Sequence, residues 1–172
     1  VLGEEKITSD IAKIGDGPEV QFGKIKSAET YLGSSRLEYI NNLPGPSCFG
    51  NVCNFVEGGP LPLNTFSLTG KWAIEKEEAR LNQTPGDISI RFSANKVNLV
   101  ASGNGGIVRA EIYLDGKKIS NQQAGSDVKD GIVEFNASQL YNLVDLQGDY
   151  GEQTLKIKIL DPKFSAFAFT FG

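Results

Sequence analysis

The hydrophobic pattern near the end of the chain is that of strands with one buried face. Residues 155–159 (LKIKI) alternate apolar and charged side chains, and residues 166–171 (AFAFTF) place three phenylalanines on one side. A period of two is typical of strands whose alternate residues face a core. Because an Asp161–Pro162 turn separates the two stretches, we predict a terminal hairpin.

The same alternation recurs at close spacing through the middle of the chain. An Asp115–Gly116 dipeptide follows one such stretch and is typical of a tight hairpin turn. Residues 138–144 (SQLYNLV) are instead predicted as a short helical or bent segment. Short strands at this spacing predict an all-β sandwich or barrel. The predicted strands cover residues 66–75, with 79–81 paired to its end, 88–92, 97–101, 108–114 and 132–135.

The beginning of the chain is less regular. Residues 1–26 are predicted as a connector arm, and residues 28–40 as a short extended or helical piece. Residues 41–62 are rich in proline and glycine, and the length of this predicted loop indicates a role beyond connection. The chain begins at Val1 and contains no methionine, so we expect a longer polypeptide with a further region before it. The β-domain is expected to cover residues 27–172.

Composition excludes several classes of function. The chain has 172 residues, a net charge of −4 and no run of lysine or arginine longer than two, whereas a nucleic-acid reader needs a clustered basic face. No apolar stretch approaches the roughly 18 residues of a membrane-spanning helix, so we expect no membrane contact by this segment. The absence of histidine removes imidazole-based triads and histidine-ligated zinc.

Two cysteines, Cys48 and Cys53, lie in the proline-rich loop and enclose four residues. The spacing differs from the C-x-x-C of thiol oxidoreductases. We predict a structural disulfide that closes a small loop and contributes about 2 kcal/mol. Such a bridge indicates an oxidising compartment. Two free buried thiols in a cytosolic protein are the alternative.

The sequence contains few candidates for a catalytic or a metal-binding site. Carboxylates are plentiful, but most fall in turns or on outward strand positions, where a solvated charge is the ordinary explanation. Catalysis by a facing carboxylate pair is therefore a remote alternative. Asp115, Asp127 and Asp130 lie near turns and leave calcium as a minor alternative, without a dense ligand pattern. We otherwise expect no cofactor.

Aromatic residues supply the candidates for a ligand site. Sugars stack on exposed rings and bind nearby polar groups through hydrogen bonds. Tyr113 and Arg109 share the polar side of one predicted strand and are the first candidates. Trp72 is also a candidate, although a lone tryptophan in an apolar strand more often fills the core. The candidate ligand-binding residues are Tyr113, Arg109, Tyr31, Arg36 and Trp72.

A series of short motifs occurs in order along the chain. The motifs are ETYLG (29–33) with Arg36, LPLN (61–64), LTGKW (68–72), FSA (92–94), VNLV (97–100), LDG (114–116), LYNLV (140–144) and AFAFTFG (166–172). Together they resemble the C-terminal domain of DipZ-type thioredoxin-like proteins over residues 27–172. The resemblance implies a jelly-roll β-sandwich similar to carbohydrate-binding modules. It also implies an extracytoplasmic location beside a thioredoxin-like domain of the same polypeptide, which carries the reactive C-x-x-C pair. The cysteine loop is not part of the family's pattern.

The resemblance implies a non-catalytic accessory domain of a thiol–disulfide exchange protein. Its expected task is to bind a glycan or a protein surface and so place the redox domain near its clients. The alternative is a structural domain that docks on the thioredoxin-like domain and shapes it. An independent hydrolase is a third, remote option. A stacking glycan site requires at least two exposed rings around one concavity, whereas docking requires an exposed apolar patch near the arm or the proline-rich loop.

Overall fold

The structure, a computed structural model, describes residues 22–172. Over this range the chain forms twelve strands and two short 3-10 helices, Phe22–Lys24 and Pro46–Cys48. The strands are β1 (Thr30–Tyr31), β2 (Val52–Phe55), β3 (Phe66–Ile74), β4 (Ala79–Ser93), β5 (Lys96–Ser102), β6 (Val108–Leu114), β7 (Lys117–Lys118), β8 (Val128–Lys129), β9 (Ile132–Phe135), β10 (Gln139–Asp145), β11 (Glu152–Ile159) and β12 (Ser165–Phe171). The predicted all-β fold is confirmed. The connector arm predicted over 1–26 lies, for its first 21 residues, outside the described residues.

The strands lie in two antiparallel layers that share β4. One layer has the order β10–β5–β12, with β1 also paired to β12; the other has the order β4–β11–β6–β9–β8, with β3 on β4 and β2 on β3. β4 is 15 residues long. Ala79 and Arg80 of β4 pair with β12, whereas residues 86–93 pair with β11. At the opposite side, a bridge between Ala124 and Val144 joins the segment before β8 to β10.

The core lies between the two layers. Leu155, Ile157 and Ile159 of β11 are fully buried, as their alternation predicted, and each such side chain contributes roughly 1.5–3 kcal/mol. Aromatic rings meet across the layers: the ring of Phe135 on β9 lies 4.9 Å from the ring of Tyr141 on β10. Because side chains of both layers pack together, the predicted sandwich is confirmed.

The predicted terminal hairpin is wrong. β11 and β12 are both strands, but each pairs with β4, which lies between them. The backbone N–H of Leu81 donates to the carbonyl of Phe164 at 3.0 Å, so the chain enters β12 on the far side of β4. The three phenylalanines also do not share one environment, because the register shifts between Ala166 and Ala168.

Two other segments refine the sequence predictions. Residues 139–145 form strand β10 against β5 rather than a helical or bent piece. Leu140 is 49% exposed on that strand, and this outward apolar residue obscures the alternation. Within residues 28–40 the extended alternative is correct, because Thr30–Tyr31 forms β1.

Candidate binding site on the outer sheet face

The outward side chains of β3, β4 and β11 line a cavity of about 570 Å³. Since Ile88 and Ile90 face the core, the alternate residues Asp87 and Ser89 must face outward. The strand register sets Ser67, Ser89 and Lys156 side by side across the three strands. The proline-rich loop also contributes to the lining, through Glu57, Gly59, Pro60 and Leu61.

Hydroxyl groups and paired charges dominate the lining of this cavity. Its hydroxyl-bearing residues are Ser67, Thr69, Ser89 and Thr154. The Lys156 ammonium lies 3.5 Å from the Asp87 carboxylate, and the Arg91 guanidinium lies 3.1 Å from Glu152. These cations therefore already have partners, so the cavity does not offer a free positive charge to an anion.

Asp87 carries the one unusual acceptor of the cavity. Its Oδ1 atom is buried and has no hydrogen-bond partner within residues 22–172, although Oδ2 faces Lys156. Leaving a buried acceptor unpaired costs about 1–3 kcal/mol. Because this atom has almost no accessible surface, it is not open to a ligand in the cavity.

Tyr113 and Arg109, the first sequence candidates, lie on the same outer face but outside the cavity. Tyr113 is opposite Lys156 in the register of β6 and β11, one strand away from the lining. Its hydroxyl donates to Glu111, and this hydrogen bond, with desolvation, raises the pKa of Tyr113. The Arg109 guanidinium donates twice to Asp161, at 2.9 and 3.1 Å.

The ion pair between Arg109 and Asp161 joins β6 to the turn after β11. The hydrogen bonds from the Arg109 side chain and backbone lower the pKa of Asp161. The same pairing raises the pKa of Arg109. Both groups are thereby occupied by each other, and neither is directed into the cavity.

Tyr31 and Arg36 form a separate cluster beside β12. The Arg36 guanidinium lies 3.7 Å from the centroid of the Tyr31 ring, a close cation–π contact. The Tyr31 hydroxyl donates to Glu29 at 2.5 Å, and this bond raises the pKa of Tyr31. Because the guanidinium covers one face of the ring, that face is not open to a stacked sugar.

Trp72 is a core residue, and its candidacy as a ligand-binding residue is wrong. It is 0% exposed, and its indole N–H donates to the carbonyl of Thr69 at 2.9 Å. Its ring packs edge-on against Phe164, with the centroids 6.2 Å apart. The preferred interpretation of Trp72 as core filling is confirmed.

The predicted disulfide joins Cys48 and Cys53. Around it lies the disulfide edge, which we define as residues 49–56. Phe49 is 39% exposed, Val52 49% and Val56 66%. These are three of the five large apolar residues that are exposed in the described part of the chain. Exposed apolar residues thus concentrate near the proline-rich loop, one of the two places where docking predicts an apolar patch.

The described residues offer no clustered metal ligands. No group of three or more histidine, cysteine, aspartate or glutamate side chains converges within residues 22–172. Two of the aspartates considered for calcium bind backbone N–H groups instead: Asp115 accepts from Thr154 at 2.9 Å, and Asp127 accepts from Asn142 at 2.7 Å. Over the same range, none of the helices has the length and apolar character needed to cross a membrane.

Comparison with known families identifies the domain. The profile described as "Thioredoxin like C-terminal domain" matches residues 27–172. The chain belongs to this family. The resemblance found in the motifs is confirmed at that level, and the more specific DipZ-type assignment stays a prediction.

This thioredoxin-like C-terminal domain has no match among curated proteins. One similar solved structure is a family two carbohydrate esterase from Clostridium thermocellum in complex with cellohexaose. The two share 14% identity with a TM-score of 0.44, over 56% of this chain and 27% of that chain. The aligned part thus spans about a quarter of that structure's length. A similarity this weak says nothing about what this chain binds.

The cavity is the feature that sequence reasoning missed. Its lining comes from strands that are far apart in the chain, and it contains none of the aromatic residues that the sequence offers as ligand-binding candidates. The available signal was the repeated small hydroxyl on the polar side of successive strands, as in Ser67 and Ser89.

Proposed function

We propose that this chain is a non-catalytic accessory domain of an extracytoplasmic thiol–disulfide exchange protein, and that it works by contact with the thioredoxin-like domain of the same polypeptide. The family supports the pairing with a thioredoxin-like region. The disulfide supports an oxidising compartment. The exposed apolar disulfide edge is the observation that carries the proposed contact.

The disulfide edge combines an unpaired strand edge with an ordered backbone, and both properties favour docking. β2 pairs with β3 alone among the described strands, which leaves its other edge available to a partner. The N–H of Gly50 donates to the carbonyl of Ile74 at 2.8 Å, and the disulfide ties the loop to β2. A surface that is already ordered loses little conformational entropy on binding.

The size of the patch favours a tethered partner. Three side chains and one strand edge fall well short of the roughly 800 Å² per partner that independent proteins need for a stable complex. A domain on the same polypeptide is present at an effective concentration of about 1 mM or more, so a smaller contact suffices. A stable dimer of this chain through the same edge is accordingly not expected.

The other functions expected from the sequence receive less support. A stacking glycan site needs exposed rings around one concavity, and no aromatic residue is among those that line the described cavity. No catalytic step is proposed there, because Asp87 and Arg91 are held in ion pairs.

Hydrogen exchange can test the docking proposal. Residues 49–56 should exchange more slowly in a polypeptide that also carries the thioredoxin-like domain than in the 172-residue chain. Val52→Lys should remove this protection. Leu140→Lys is the matched control, because Leu140 and Val52 are both 49% exposed and Leu140 lies on β10. Equal exchange in the two polypeptides, or equal effects of the two substitutions, would contradict the proposal.

A further inference from the structure

We propose that the disulfide between Cys48 and Cys53 is a redox site: a dithiol of the thioredoxin-like domain reduces it by attack on Cys53, and the reduction loosens the disulfide edge. This inference rests on the proposed function, in which the thioredoxin-like domain contacts that edge. It adds a covalent step to the contact and a way to end it. The partner is defined by its chemistry, a pair of thiols that close into a disulfide when they give up two electrons.

The two cysteines differ in burial, and this difference selects the sulfur that is attacked. Cys48 is 2% exposed and belongs to the hydrophobic core. Cys53 is half-buried on strand β2. Thiol–disulfide exchange requires a thiolate to reach one sulfur of the bond. Cys53 is therefore the cysteine that a partner can reach, and Cys48 supplies the leaving sulfur.

The disulfide lies within the surface that is proposed to meet the partner. The exposed side chains of Phe49 and Val52 follow Cys48 and precede Cys53 in the chain. A domain docked on these side chains brings its thiols to the same edge, at an effective concentration of about 1 mM or more. Exchange between groups held together in this way is faster than exchange between free molecules.

The exchange takes two steps and conserves electrons and protons. A thiolate of the partner attacks the sulfur of Cys53, a new S–S bond joins the two domains, and the sulfur of Cys48 leaves and takes up a proton. The second thiol of the partner then attacks the partner's sulfur in this mixed disulfide, which releases Cys53 as a thiol. The bond between Cys48 and Cys53 is thereby reduced by two electrons, and the dithiol is oxidised to a disulfide. Because burial disfavours a thiolate, Cys48 is a poor nucleophile for the reverse of the first step.

Reduction should loosen the loop before β2, because the other bonds of this loop are mostly local. The backbone N–H groups of Cys48, Phe49 and Asn51 each donate to a carbonyl three residues earlier, so these bonds hold the loop to itself. The N–H of Gly50 donates to the carbonyl of Ile74 on β3 at 2.8 Å, and this bond does not depend on the disulfide. Once the covalent tie to β2 is lost, we expect the exposed apolar edge to lose its ordered form and its advantage in binding.

Reduction kinetics test the exchange in a polypeptide that carries both domains. Dithiothreitol is added in limiting amount, samples are quenched with acid and alkylated, and mass spectrometry follows the reduction of Cys48 and Cys53. The control polypeptide has serine in place of both cysteines of the C-x-x-C pair, so only dithiothreitol can reduce the disulfide there. We expect reduction at least about tenfold faster when the C-x-x-C pair is intact. Equal rates would overturn the inference.

Two matched variants test which sulfur is attacked. Cys48→Ala and Cys53→Ala both remove the disulfide, and each leaves one thiol. In a two-domain polypeptide that keeps only the first cysteine of the C-x-x-C pair, mild oxidation with diamide should join the domains in the Cys48→Ala variant, through Cys53. It should not do so in the Cys53→Ala variant, because Cys48 is buried. Crosslinking in neither variant, or equally in both, would contradict attack on Cys53.

Hydrogen exchange tests the effect of reduction and separates this inference from docking. Residues 46–51 should exchange on the order of tenfold faster in the variant that carries both Cys48→Ala and Cys53→Ala than in the oxidised chain, and unchanged exchange would overturn the loosening. Interdomain protection of residues 49–56 with equal reduction rates overturns the redox step and leaves docking intact. Fast reduction that persists in Val52→Lys supports the redox step and contradicts docking through Val52.

Discussion

Replacing Trp72 by alanine should strongly destabilise the fold without touching a ligand site. Trp72 is 0% exposed and packs edge-on against Phe164. Truncating a buried tryptophan costs about 3–5 kcal/mol. The carbonyl of Thr69 also loses the indole donor at 2.9 Å, which adds roughly 1 kcal/mol because this residue is partly exposed and water can replace the donor.

The expected total of roughly 4–6 kcal/mol is a large share of the 5–15 kcal/mol by which domains are usually stable. For a chain of this length it corresponds to a melting temperature lower by roughly 10–20 °C. Urea unfolding followed by far-UV circular dichroism is the suitable assay, because Trp72 is the sole tryptophan and its fluorescence disappears with the substitution. Phe49→Ala serves as the control, since Phe49 is 39% exposed and its truncation should cost less than about 1 kcal/mol.

A loss of less than about 1 kcal/mol for Trp72→Ala would refute the reasoning, since exposed side chains show effects of that size. It would mean that the indole faces solvent, where the candidacy of Trp72 as a ligand-binding residue would return. Trp72→Phe separates the two contributions to stability. It keeps a ring against Phe164 and loses the hydrogen bond, so it should be clearly milder than the alanine variant.

Two further predictions concern a close backbone approach and an ion pair. In Gly33→Ala the new Cβ would lie 2.3 Å from the carbonyl carbon of Glu77, so backbone must move and stability should fall by about 1–3 kcal/mol; Gly45→Ala, with nothing within 4 Å of its Cβ, should be nearly neutral in the same urea assay. Arg109→Gln should raise the pKa of Asp161 part of the way towards its ordinary value, because the hydrogen bonds from the guanidinium are lost while the bond from the backbone N–H remains. The pair stabilises the fold above the ordinary aspartate pKa, and this contribution disappears as the pH falls below about 4 through the lower folded-state pKa. Carboxyl NMR shifts measure the change, and an unaltered Asp161 titration would count against it.

The local form of most strands could be predicted from the sequence, because it depends on which neighbours are apolar. Residues 155–159 alternate cleanly, and the structure buries each apolar member. The Asp115–Gly116 turn could be predicted equally well, because this dipeptide favours a tight hairpin turn. In the structure it connects β6 and β7 with positive φ at both residues. The helical or bent segment predicted over residues 138–144 is wrong because Leu140, an apolar residue, faces solvent and hides the alternation of strand β10.

Local sequence patterns do not predict which strands pair with each other, nor where the cavity forms. Nothing in residues 155–171 indicates that β4 lies between β11 and β12, because that order depends on contacts with residues about 70 positions earlier. The cavity depends on the same register, which sets Ser67 beside Ser89. Aromatic residues are evident in the sequence. Whether a ring such as that of Trp72 is buried depends on the tertiary packing, which the sequence pattern does not show.

The shared strand β4 has a mechanical consequence. Because it hydrogen-bonds to β11 with one part and to β12 with another, and because Ala124 and Val144 are bridged at the other side, the two layers are hydrogen-bonded to each other at both sides within the described residues. Force applied at either end should be resisted until the whole domain ruptures in a single step. If the domain holds a thioredoxin-like partner in place, as proposed, it gains from failing late rather than gradually.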